Sequence, residues 1–107
     1  MAKIVRGRTD KAVQQLKLAL DTYEEQHPGA AASLYRQGVA SIRIRVVDGR
    51  FERLSKSRRH DHVWKFLEAR VGEETLSEVS FVLAPTPAEL KSSFANFEFE
   101  KPIATRL

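Results

Sequence analysis

A basic chain of 107 residues, with a formal charge of +4 and 42% apolar residues, supports one domain around a single modest core. It contains no cysteine, which excludes disulfides, thiolate nucleophiles, cysteine-type zinc sites and iron–sulfur clusters held by its own thiolates. No run approaches the roughly 18 apolar residues of a membrane span, and Met1 to Asp10 has no apolar stretch of signal-peptide length, so a cytoplasmic protein is expected.

Thr9 or Asp10 can cap a helix in which Val13, Leu16, Leu20 and Tyr23 recur every three or four residues. It should end near His27-Pro28, because the residue before proline is pushed out of the helical region. Residues 29–38 read two ways. Pro28, the alanine run and Gly38 favour a short helix, whereas a strand from Ala32 to Gln37 would turn at Gly38 into the next; propensity favours the helix, and only the family resemblance given below tips the reading slightly to strand. From Ser41 to Val47, Ile42, Ile44 and Val46 alternate with Ser41, Arg43 and Arg45, the period-two pattern of a half-buried strand. Asp48-Gly49 suits a tight turn with positive backbone angles.

Beyond it, a short extended piece through Phe51 leads to a helix of about 15 residues, begun by Ser55 or Ser57 and stopped at Gly72. Glu73 to Ser77 suggests a helical turn, and Val79 to Leu83 an apolar strand. Thr86-Pro87-Ala88-Glu89 is the clearest helix start, with a capping threonine, proline at the first helical position and glutamate three residues after the cap. That helix should turn Leu90 and Phe94 inward. Phe97 and Phe99 then alternate with Glu98 and Glu100, a tail suited to an edge strand or a fold-back before Pro102.

Charge is unevenly spread. Residues 36–70 hold ten Lys/Arg against four Asp/Glu, while residues 71–107 hold three against six. Basic middle and acidic end can face one another, or the middle can meet an anionic partner. The candidate binding residues are therefore Arg43, Arg45, Arg50, Arg53, Arg58, Arg59, His62 and Lys65, although such runs ordinarily decorate a solvated face.

The order of elements, with Phe51, then Arg59-His60 nine residues on, then Val63 and Leu67, resembles the BolA family, whose fold is related to the second class of KH domains. Thr86-Pro87-Ala88-Glu89-Leu90 is similar to that family's lead-in to its last helix. The resemblance implies a single α+β domain over residues 1–107, with a core of about 10–94 and an extension over 95–107. It further implies a three-stranded mixed sheet with helices on one face, in the order helix-strand-strand-helix-helix-strand-helix. Phe51, His60, Val63 and Leu67 would be its structural positions, with the His60 ring at the core boundary. Family members that share an iron–sulfur cluster with a monothiol glutaredoxin supply cysteine or histidine before the second strand and histidine at the third. Here Gly38 to Ser41 and Glu78 to Phe81 offer neither, so no cofactor is expected.

His60 and His62 lie about 200° apart on a helix and cannot share a metal there, so no metal site is expected. With no nucleophile elbow, phosphate loop or His-Glu-x-x-His, no catalytic residue is assigned. The resulting expectation is a non-enzymatic adaptor or regulator with a protein partner, of glutaredoxin type if the resemblance holds. The alternative is a nucleic-acid-binding module using residues 36–70, which lacks the Gly-x-x-Gly clamp of KH domains and any evident aromatic platform.

Overall fold

The computed structural model of the chain describes residues 1–90 and Phe99. Its elements are β1 (Lys3–Ile4), α1 (Lys11–Gln26), β2 (Ala31–Gly38), β3 (Ser41–Val47), a 3₁₀ turn (Gly49–Arg53), α2 (Lys56–Glu68), α3 (Glu73–Leu76), β4 (Val79–Leu83) and α4 (Pro87–Leu90). The sheet runs in the order β1-β2-β3-β4: β2 and β3 form an antiparallel hairpin, and β1 and β4 pair parallel to its two sides. The fold is α+β, as expected, but the described residues form a sheet of four strands rather than three. A two-residue strand has no periodicity to read; β1 exists only because Lys3 and Ile4 pair with Ser33 and Leu34.

Asp10 caps α1, its carboxylate accepting from the Val13 N–H at 3.1 Å. Between β1 and α1 the chain bends at Gly7, whose φ is +84°, and an ideal Cβ there would stand 2.8 Å from the Arg36 carbonyl oxygen. Both the backbone angle and the close approach require glycine. Residues 31–38 are strand, because pairing with β3 on one side and β1 on the other satisfies backbone groups that a short helix would leave at its ends.

The chain turns at Asp48-Gly49, with the Phe51 N–H donating to the Asp48 carbonyl at 3.0 Å, but without the expected positive backbone angles. Gly49 is not among the positive-φ glycines, which are Gly7 and Gly29 among the described residues. Asp48 instead caps the 3₁₀ turn that replaces the expected extended piece through Phe51. The reason is topological: β3 pairs next with β4, so the chain must leave the sheet here and return after α2 and α3. Ser55 caps α2 through the Arg58 N–H, and α2 stops at Ala69; Gly72 begins α3 rather than ending α2. The expected capping box forms, with the Thr86 N–H donating to Glu89 Oε1 at 3.0 Å and the Glu89 N–H to Thr86 Oγ1 at 3.2 Å. Phe94 and Phe97 lie outside the described residues. Phe99 is helical and buried, not extended.

The core lies between the helices and one face of the sheet. Val13, Leu16, Leu20 and Tyr23 of α1 and Val63 and Leu67 of α2 meet Leu34, Ile42, Ile44 and Val46, with Phe51 closing one end. Each fully buried aliphatic or aromatic side chain contributes roughly 1.5–3 kcal/mol.

Two buried guanidinium groups pin the periphery. Arg36 donates to Asp10, to Glu78 and to the Gly38 and Val39 carbonyls, joining the α1 cap, the hairpin turn and the residue before β4. Its side chain is 5% exposed. Arg59 donates to the Leu54 and Ala84 carbonyls and, through both Nη atoms, to Glu89, tying α2 to the start of α4.

Candidate functional site

Where α1 ends, the carboxyl end of β3 meets the middle of α2, and polar and aromatic groups converge. Tyr23 of α1 and His27, which caps the end of that helix, stand four residues apart, with rings stacked at 4.0 Å between centroids. On α2 the same spacing aligns His62 and Phe66, and Arg70, just past the end of the helix, donates to the Phe66 carbonyl. Phe66 meets the Tyr23 ring edge-on at 5.0 Å, and the Arg70 guanidinium covers the Phe66 ring at 3.6 Å. His62 approaches His27 at 5.6 Å, again edge-on.

Beneath these rings runs a polar chain. The Tyr23 hydroxyl is buried, 3.4 Å from Asp48 Oδ2 and 3.0 Å from His62 Nε2. The Asp48 carboxylate receives the Arg50 backbone N–H at 3.0 Å and the Arg50 guanidinium through Nε at 3.0 Å and Nη2 at 3.2 Å. Arg50 also donates to the Pro28 carbonyl at 3.2 Å, which holds the end of α1 against this turn. A carboxylate accepts only. Tyr23 therefore donates to Asp48, and His62 donates to Tyr23 through Nε2, leaving Nδ1 as the acceptor of a neutral ring. His27 Nδ1 sits 2.9 Å from the Tyr23 carbonyl, so it carries the proton there and Nε2 is open.

The electrostatics follow from this packing. Burial, reinforced by the Asp48 charge, drives the Tyr23 phenol above its ordinary range. Burial also pushes Asp48 upward, but the Arg50 hydrogen bonds and charge outweigh it and hold the carboxylate below its usual value. His62 is lowered, first by burial and then by His27, with Asp48 opposing. The unit is a neutral imidazole backed by a tyrosine–carboxylate–arginine chain. It can exchange a proton or hydrogen bonds with a docked group, but no serine, thiol or lysine amine is part of it.

The residues expected to share a basic face do not share one. Arg43 and Arg45 alternate with Ile42, Ile44 and Val46, so they lie on the sheet face opposite α2. Arg45 is buried, and Arg43 lies over the Phe81 ring at 4.3 Å. Arg50 is engaged with Asp48, and Arg59 is buried against Glu89. Arg53, Arg58 and Lys65 are exposed, and His62 belongs to the cluster.

Of the four structural positions, Phe51, Val63 and Leu67 are buried as expected and His60 is not. Its side chain is 51% exposed and its ring stacks on Trp64 at 5.8 Å. Arg59, Val63 and Leu67 form the buried stripe instead. His60 and Arg59 flank the direction of Val63 at comparable angles. Arg59 wins the inner position because Glu89 and two carbonyls wait for it there.

Tyr23, His27 and Asp48 were not singled out from sequence. The Tyr23–His27 spacing was visible, but their meeting with Asp48 and His62 depends on contacts 25 and 39 residues apart. Among the described residues, no three His, Asp or Glu side chains are placed to hold a metal ion, and no helix is long and apolar enough to cross a membrane. Comparison with family models, with curated proteins and with solved structures finds no match for this chain.

Proposed function

We propose that the chain is a small BolA-like adaptor or regulatory protein of non-catalytic type, acting on a protein partner through the surface formed by the end of α1, the Asp48–Arg50 turn and the outer side of α2. The observation that carries the docking surface is the group of His27, His62 and Phe66 rings packed over the buried Tyr23. It puts aromatic edges, an accepting imidazole nitrogen and the exposed Arg58 and Lys65 on adjoining parts of one helix pair. Rigid rings with polar tips suit a protein interface, because they offer area at low entropic cost.

What supports the family reading is the passage from an antiparallel hairpin through two helices to a strand parallel to the second, the order the resemblance implies. The outward His60 departs from it. Glutaredoxin-type proteins are the partner class that reading names, and the sequence brings no cysteine or histidine to Gly38–Ser41 or Glu78–Phe81, so the contact would not rest on iron ligation by this chain.

The nucleic-acid reading keeps Arg53, Lys56, Arg58 and Lys65 as exposed cations. It loses Arg36 and Arg59 to buried ion pairs, and Arg43 and Arg45 to the other sheet face.

Partner capture from native extract separates the two readings. The expected result is a glutaredoxin-type protein retained under nuclease and weakened when Arg58 and Lys65 are both changed to glutamate. Loss of all partners under nuclease, with a steep fall in binding as salt rises, would favour nucleic acid.

A further inference from the structure

α1 and α2 cover one face of the sheet and leave the other unexplained. On that second face the strand register sets Lys3, Ser33, Arg45 and Leu83 in one row and Tyr35, Arg43 and Phe81 in the next. Cations sit on rings here: the Arg6 guanidinium is 4.0 Å above the Tyr35 ring and that of Arg43 is 4.3 Å above Phe81. The rows contain no acidic residue.

Among the described residues neither α1 nor α2 stands over this face, yet Tyr35 is 4% exposed and Arg45 8%. Phe99 lies there, itself 3% exposed, with its ring 5.6 Å from Tyr35 in an edge-on arrangement and the Arg45 guanidinium 5.3 Å from its centroid. In the sequence Phe99 stands between Glu98 and Glu100. The aromatic group filling a face that carries Lys3, Arg6, Arg43 and Arg45 therefore arrives flanked by two carboxylates. The steric fit and the charge balance select the same kind of segment.

We propose that the second face of the sheet is a docking site for peptide segments in which an aromatic side chain is flanked by carboxylates, and that Phe99 occupies it in cis. A peptide fits better than a single-stranded nucleic acid. Bases stack flat on open rings, whereas Tyr35 and Phe81 are each faced by a guanidinium, and the ring received beside Tyr35 enters edge-on at 73°. Tethering gives the cis segment a millimolar effective concentration, so an external peptide competes poorly until Phe99 is removed.

The test uses the full chain carrying Phe99→Ala and a fluorescent peptide of the sequence of residues 96–102, read by anisotropy. Phe99 lies outside the main core cluster, and circular dichroism checks that the variant is folded. The expected result is binding at least tenfold tighter than to the unaltered chain, weakened by salt, and lost both on Arg45→Gln and when the peptide's equivalent of Phe99 is alanine. A folded variant that binds no tighter overturns the proposal, and so does one that prefers a single-stranded RNA oligonucleotide to the peptide. Should the variant not fold, the unaltered chain is titrated with millimolar peptide. Amide shifts at Tyr35, Arg43 and Arg45 support the proposal, and an unmoved spectrum overturns it.

Discussion

Arg36 and Glu89 show how far single side chains carry this fold. Removing one member of a buried ion pair costs about 3–5 kcal/mol when its partners stay buried. Asp10 and Glu78 keep 31% of their side-chain exposure, so water can recover part of their hydration. Arg36→Met should therefore cost about 3 kcal/mol in urea unfolding, and a loss below about 1 kcal/mol would show that the clasp is ornamental. Glu89 is drawn down to about 2, first by its hydrogen bonds from Arg59 and then by the Thr86 N–H. A depressed carboxylate stabilises the fold above its unfolded value, near 4.5, and that contribution drains away as pH falls from there toward about 2. His62 acts in a separate window. Its folded value lies below the ordinary 6.5, so the unfolded chain takes up that proton first and stability starts to fall as pH drops through about 6.5. Carbon-detected titration should place the Glu89 midpoint near 2 and the His62 midpoint below 6.5, and His62→Gln should remove the upper slope while leaving the lower one.

At the scale of elements, the two positive-φ glycines make a controlled comparison. Gly29, at φ +96°, has nothing within 4 Å of an added Cβ, while Gly7 at φ +84° would place one 2.8 Å from a β2 carbonyl. Gly29→Ala should cost about 1 kcal/mol from the backbone angle alone, and Gly7→Ala about 2 kcal/mol or more; equal losses would mean the close approach relaxes freely. The elements that could be read from sequence are those whose apolar spacing spans several repeats. α1 through Val13, Leu16, Leu20 and Tyr23 and β3 through Ile42, Ile44 and Val46 are examples. Thr86–Glu89 was legible because a capping box is local chemistry. The inner face of α2 was missed by one residue, because the choice between Arg59 and His60 is made by Glu89, 30 positions away. β1 and the 3₁₀ turn at Asp48 were invisible for the same reason: tertiary pairing and topology produce them.

For the whole molecule, the candidate site and the second sheet face are both products of topology. The parallel return of β4 beside β3 forces the chain off the sheet at Asp48, and this exit sets the Asp48 carboxylate beneath Tyr23 and His62. The alternation of β3 sends its isoleucines to the helices and its arginines to the other side, dividing a charge run that looks continuous in sequence. The Arg36 clasp has a kinetic corollary. Its partners lie 26 positions before it and 42 after it, so it can close only when three distant segments have already been gathered. Arg36→Met should accordingly speed unfolding and leave the refolding limb of the chevron almost unmoved, making this guanidinium a latch that governs how long the folded molecule lasts.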